Sequence, residues 1–280
     1  MPSDYERRLL RVLDHIHANP SGDLSLDALA DIAAMSRFHW HRIFRAMTGE
    51  TTAQSVRRVR LHRASIALVQ TTDPVARIAR DFGYPNAASF TRAFTDHYAA
   101  TPAAFRNRGE LRAFTPRTIP EINTMHPIEI RTEPARRLAA LPHQGPYHEI
   151  GRAFERLSAT MAARALFPHA GRMIGVFYDD PSSTAPADLR SHAGFEILTD
   201  AEIAAPMETV LLPSGRKAVL TYKGPYAGLP AAYDQLYSVW LPTSGQHPAD
   251  APAYEMYLNS PMDTVPDDLV TELHLPLKQA

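Results

Sequence analysis

The chain has 280 residues, 45% hydrophobic and 21% charged, with 29 Lys+Arg against 30 Asp+Glu. That length suits one large domain or two ordinary ones, and no apolar run approaches the roughly 18–20 residues that a membrane span needs. The absence of cysteine excludes disulfides and thiol nucleophiles and points to a reducing, cytoplasmic setting, as does the charged start MPSDYERRLLRV, which has no secretory apolar core.

The near-neutral total hides an asymmetry. Residues 1–108 hold 15 Arg, no Lys and 10 acidic residues, a net of +5, whereas 109–280 hold 14 basic and 20 acidic residues, a net of −6. A basic front and an acidic rear suggest two domains with different partners. In the front half the periodicity is helical almost throughout. ALADIAAMSRFHWHRIFRAMTGETTAQSVR (28–57) and RIARDFGYPNAASFTRAFTDHYAATPAAFR (77–106) share one pattern: a short helix, a tight turn, a longer helix with Arg-x-Phe, and a Thr-rich turn. That is a helix-turn-helix unit, present twice.

Ser36 is the expected cap of the first long helix. Trp40, Ile43, Phe44 and Met47 fall on its inner side, and Phe38, His41, Arg42 and Arg45 on the other. A Phe at such an outer position wants an apolar partner, which a thymine methyl or a neighbouring loop can supply. Arg42 suits guanine N7/O6, a phosphate or plain solvent. TAQSVRRVRLHRASIALVQ (52–70) reads as one connecting helix of about 27 Å, close to the separation of two helices in successive major grooves. Arg57, Arg58, Arg60 and Arg63 give it positive faces that are either DNA-directed or simply solvated. Asn86 is the expected cap of the second long helix, with Phe82, Phe90 and Phe94 behind it. Ala87, Ala88, Thr91 and Arg92 lie in front, and Gly83 is expected to take a positive-φ turn position.

GELRAFTPRTIPEINTMHP (109–127) has three prolines and no period, which reads as a linker. The expected division is therefore 1–108, a linker over 109–125, and 126–280. Beyond the linker, LPHQGPYHEIGRAFERL (141–157) and TYKGPYAGLPAAYDQLY (221–237) share Gly-Pro-Tyr between a strand-like run and an amphipathic helix. Two copies imply a pseudo-two-fold α+β domain with a cleft. Along 254–259 the alternation puts Glu255, Tyr257 and Asn259 on one face and Tyr254, Met256 and Leu258 on the other. Glu255 among tyrosines suits either a cation pocket or a structural acceptor at a sheet edge. Tyr147, Phe177, Phe195, Tyr226 and Trp240 are candidate walls, each of which core packing alone would also explain. Glu196 is a rival for the acidic role.

The fold class that follows is multidomain: an all-α N-terminal domain with two helix-turn-helix units and an α+β C-terminal domain with an internal pseudo-two-fold repeat. The run IA-x-x-x-G-[FY] to P-x-x-[FY]-R, from Ile78 to Arg106, and the preceding LSLD…LADIAAMSRFHWHRIFRAMTG make residues 5–107 resemble the DNA-binding domain of AraC/XylS-type transcription regulators. Residues 126–278, closing with APAYEMYLNSPMDTVPDDLVTELHLPL, resemble the GyrI-like effector-binding domain, in a Rob-type arrangement. The first resemblance implies double-stranded DNA as partner, contacted by Phe38, His41, Arg42, Ala87, Ala88, Thr91 and Arg92, and RNA polymerase as a further partner. The second implies a small, often cationic and aromatic effector between the repeats. The rival readings are a hydrolase, using Glu255 with Tyr147 or Tyr226 to activate water, and a drug-sequestering protein. No catalytic residue, cofactor or metal is expected: His39 and His41 diverge on a helix, and nucleotide and esterase motifs are lacking.

Overall fold

The structure is a computed structural model and describes residues 4–108, 125–261 and 263–279. Residues 109–124 of the expected linker lie outside the described residues. By packing, the chain divides into two compact units: residues 4–35 with 47–108, and residues 36–46 with those from 125 on.

The first unit is helical. α1 spans Asp4–Ala18 and α2 spans Leu26–Ala33, where the Ser25 side chain caps by accepting from the Ala28 amide. α3, Trp40–Thr48, belongs mostly to the second unit. α4, Thr52–Gln70, is the connecting helix with the bounds its sequence predicts. A reciprocal box opens it: Thr51 Oγ1 accepts from Gln54 N at 3.2 Å and Gln54 Oε1 from Thr51 N at 2.9 Å. Such a box satisfies two amides that the first helical turn leaves over. α5 is Val75–Asp81, α6 Ala87–Tyr98 and α7 Pro102–Arg108. Phe90, Phe94, Tyr98 and Phe105 pack with Leu61, Leu68 and Ile78 in one core, and the Phe94 and Phe105 rings meet edge-on at 5.2 Å. This holds α6 from behind, as the phenylalanine spacing predicts. Gly83 takes φ +79, and a Cβ there would stand 2.8 Å from the Arg60 guanidinium.

Three arginines of α4 hold this unit together. Arg58 grips Glu50 at 2.6 Å, Arg60 donates to the Pro20 carbonyl at 2.6 Å, and Arg63 donates to the His17 carbonyl. The exposed Arg57 stands 3.6 Å from Asp96.

The second unit is built on one antiparallel eight-stranded sheet of order β1-β6-β8-β7-β3-β4-β2-β5. The strands are β1 Ile128–Glu133, β2 Arg136–Gln144, β3 Ala170–Phe177, β4 Arg190–Ile197, β5 Glu208–Leu212, β6 Gly215–Lys223, β7 Ala253–Tyr257 and β8 Val270–Pro276. β2, helix α8 (Gly151–Ala163), β3 and β4 form one repeat; β6, helix α9 (Leu229–Asp234), β7 and β8 form the other. The strand that precedes each is exchanged: β1, before the first repeat, pairs with β6, and β5, before the second, pairs with β2. The two Gly-Pro-Tyr turns are equivalent. Gly145 and Gly224 take φ +129 and +142, and their amides donate to Leu189 O and Leu269 O, both at 2.9 Å. After α9 the chain continues as a π-helical stretch, Gln235–Trp240, and a last turn α10, Leu241–Ser244.

The repeats meet where β3 pairs with β7, and there Gly175 lies directly opposite Glu255. Tyr254 and Met256 point into a core with Ile174 and Val176, whereas Tyr257 packs with Phe154 and Phe177. The alternation along β7 thus runs as its sequence predicts.

Candidate functional site

Glu255 is only 5% exposed, and it faces the α8/α9 side of the sheet at the junction of the repeats. A buried carboxylate must be hydrogen-bonded or neutral. Tyr257 Oη donates to its Oε2 at 2.8 Å. The buried Tyr233 hydroxyl also interacts with it, but without full hydrogen-bonding geometry. Burial pushes Glu255 up to about 7, against the pull of Tyr257, Tyr233 and the Arg42 charge. Gly175 makes room for this arrangement, since a Cβ there would stand 3.0 Å from Tyr257 Oη and from the Phe177 ring.

The walls are tyrosines. Tyr226 meets Tyr257 edge-on at 5.4 Å, and burial followed by the Glu255 charge raises the Tyr226 hydroxyl. Tyr233 and Tyr237 are four residues apart in the helix after the second Gly-Pro-Tyr, so their rings share one face. They are stacked at 6.4 Å and 19°. Within the same compact unit the Arg42 Cζ lies 4.4 Å from the Tyr233 centroid and 5.2 Å from that of Tyr237. Arg42 as a residue is partly accessible, but its Nη1 is buried and has no hydrogen-bond partner. Burial opposes its charge; Tyr237, Tyr233 and Asp180 outweigh that, and the guanidinium stays protonated.

The neighbours of Arg42 are tied into the same unit. Ser36 Oγ donates to Asp250 Oδ1 at 3.0 Å and accepts from Phe38 N at 3.3 Å. Ser36 therefore opens a turn over residues 37–39, and α3 begins later than the expected cap, at Trp40. His39 Nε2 lies 3.0 Å from Ala251 O and its Nδ1 lies 2.8 Å from Tyr237 Oη. A carbonyl only accepts, so Nε2 carries the proton and the Tyr237 hydroxyl donates to Nδ1. Burial, with the Arg42 charge, holds His39 down at about 3. His41 is buried with Nε2 3.7 Å from Asp180 Oδ2; burial brings it down to about 4 despite that carboxylate. Phe38 is half-buried and Arg45 exposed. Of the expected outer face of α3, His41 and Arg42 are thus engaged with protein, because buried aromatic and acidic partners stand where the sequence predicts a DNA-facing surface.

The other expected residues are placed as follows. Asn86 caps α6, its Oδ1 accepting from Ser89 N at 2.8 Å. Ala87, Ala88, Thr91 and Arg92, with Thr95 and Asp96, line one open concave surface of about 670 Å³. Phe177 and Tyr147 meet edge-on at 4.8 Å, and the Tyr147 hydroxyl donates into the carbonyls of Asp179 and Arg190. Phe195 lies in a separate core under α8 with Leu157 and Met161. Trp240 is half-buried at the end of the π-helical stretch. Glu196 is bound by Arg136 at 2.6 Å and is structural. Tyr233, Tyr237 and Asp180 escaped the sequence reading. The i, i+4 tyrosine pair in AAYDQLY was the available signal, and it looks the same as core packing. Among the described residues no cluster of His, Cys, Asp or Glu could hold a metal ion, and no helix is long and apolar enough to cross a membrane.

A helix-turn-helix pair joined to two interlocked βα repeats around a buried carboxylate defines a two-part protein, one part helical and one of the small-molecule-binding α+β class. The chain belongs to the family of the GyrI-like small molecule binding domain, whose pattern matches residues 126–278; residues 29–108 match a helix-turn-helix domain of the AraC type. The chain is 37% identical over 91 residues to the right origin-binding protein of Escherichia coli K12, covering 32% of each chain. It is 34% identical over 100 residues to the bifunctional transcriptional activator/DNA repair enzyme AdaA of Bacillus subtilis, covering 36% of this chain and 47% of that one. The chain thus spans a third to a half of the length of these relatives. Among solved structures, the EcmrR C-terminal domain is 13% identical, with a TM-score of 0.46 over 56% of this chain and 100% of that one.

Proposed function

We propose that this protein is a cytoplasmic DNA-binding transcription regulator whose GyrI-like part binds a small amphipathic cation. The observation that carries the ligand half is Glu255, a buried carboxylate faced by Tyr226, Tyr233 and Tyr257, with Tyr237 stacked behind Tyr233. A desolvated carboxylate attracts a cation strongly, tyrosine faces add cation–π attraction, and the rings accept the ligand's apolar body. The DNA half is supported by the two helix-turn-helix units, by the open face of α6 with Arg92, and by relatives whose names describe origin binding and transcriptional activation. On this reading Phe38, His41, Arg42, Arg45, Ala87, Ala88, Thr91 and Arg92 form the DNA-contacting set, Ser36 opens the turn that leads into α3, Asn86 caps α6, and RNA polymerase is the downstream partner. A ligand switches such a regulator only if it binds two states of the protein unequally.

Calorimetric titration of the full chain with tetraphenylphosphonium tests the ligand half. Binding is expected, and Glu255→Gln is expected to weaken it by about tenfold or more, roughly 1.4 kcal/mol. An unchanged affinity in that variant would remove Glu255 as the anchor. Turnover of an ester substrate, lost in the same variant, would instead favour the hydrolase reading. Selection of bound duplexes from a random pool tests the DNA half, and recovery of no preferred sequence would count against it.

A further inference from the structure

The guanidinium of Arg42 stands where the cation of a ligand is expected. It lies on the stacked rings of Tyr233 and Tyr237, and its charge favours the ionised form of Glu255. A planar, weakly hydrated cation is well matched to such a stack, better than an ammonium, which is compact and keeps its water. The fit is nevertheless incomplete. Arg42 Nη1 is buried without a hydrogen-bond partner, and neither ring nitrogen of His41 makes a hydrogen bond. The segment is fastened outside the cage by Ser36 to Asp250 and by His39 to Ala251 O.

We propose that the tyrosine–Glu255 cage is a guanidinium-class site whose resident occupant is Arg42, so that a small aromatic guanidinium or amidinium compound enters by displacing Arg42 and thereby releases residues 36–46. This deepens the cation-binding reading above and rests on it. Arg42 also belongs to the proposed DNA-contacting set. A guanidinium held in the cage cannot contact a duplex, so cage occupancy by Arg42 and DNA contact by Arg42 exclude one another. A compound that takes the cage favours the DNA-competent state, and by reciprocity DNA strengthens binding of the compound.

The test uses phenylguanidinium and the full chain. Arg42→Ala and Arg42→Gln empty the cage of its occupant. Each is expected to tighten phenylguanidinium binding about tenfold or more, the factor that follows if Arg42 fills the cage about 90% of the time. Asp250→Ala loosens the segment through Ser36 without touching the cage, and is expected to tighten binding in the same direction by a smaller factor. With the wild-type chain, saturating phenylguanidinium is expected to increase affinity for a selected duplex, and a duplex is expected to increase affinity for phenylguanidinium equally. Equal affinities in the wild type, Arg42→Ala and Asp250→Ala would overturn this inference while leaving the cation site standing. Absence of binding to every variant, with folding intact by circular dichroism, would overturn the cation-binding reading and this inference together.

Discussion

Glu255 combines a charge and a burial that oppose one another. Its carboxyl is raised from 4.5 to about 7 by burial, and a native group that holds its proton longer than the unfolded one costs stability as pH rises between those values. Below 4.5 both states are protonated and the cost vanishes; above about 7 it is complete. The facing groups are Arg42, Tyr226, Tyr233 and Tyr257, and only the first carries charge in that range. Two outcomes follow from this sign. Denaturant unfolding should show Glu255→Gln gaining about 3–4 kcal/mol on the wild type at pH 8 and little at pH 4.5, by roughly 1.4 kcal/mol per pH unit between 4.5 and about 7. Affinity for a permanent cation should rise with pH through about 7 in the wild type and stay flat in the variant. A rise that persists in Glu255→Gln would assign the titration to another group.

At the scale of elements, the β3–β7 junction matters most. Both repeats contribute a strand there, and the position that is Glu255 in one is Gly175 in the other. The glycine leaves space that Tyr257 fills, and the tyrosine holds the carboxylate. Gly175→Ala forces either Tyr257 or Phe177 to move. It should destabilise the protein by about 1–3 kcal/mol through overpacking, and calorimetry should show weaker cation binding with no change in duplex affinity. Unchanged cation binding would mean that Tyr257 does not position Glu255. Much at this scale was legible in the sequence. The bounds of α4, the Asn86 cap, the Gly83 turn, the phenylalanines behind α6 and both Gly-Pro-Tyr turns follow from spacing and local chemistry. The arginines of α4 were not legible, because charge on a helix reads the same whether it meets phosphate, solvent or a carbonyl such as Pro20 O.

For the whole molecule, the division of charge is the relevant quantity: +5 over 1–108 and −6 over 109–280. A duplex held by arginines of the basic half releases counterions, so log affinity should fall linearly with log salt, with a slope near 0.9 per phosphate neutralised. Arg92→Ala should weaken duplex binding and reduce that slope by about 1 in filter-binding titrations from low to physiological salt. A weakened affinity with an unaltered slope would move Arg92 from a phosphate to a base contact. The sequence by itself determined the two-part order, the doubled helix-turn-helix pattern, the pseudo-two-fold α+β repeat and the alternation that puts Glu255 and Tyr257 on one face of β7. These rest on periodicity, caps and turns, which act over a few residues. Only the tertiary structure decided what covers the face of 36–46. His39 meets Tyr237 across 198 residues of chain, and Arg42 meets Tyr233 and Tyr237 over a like distance. Whether a side chain lies against water, a ring or a carboxylate depends on residues that no local spacing connects.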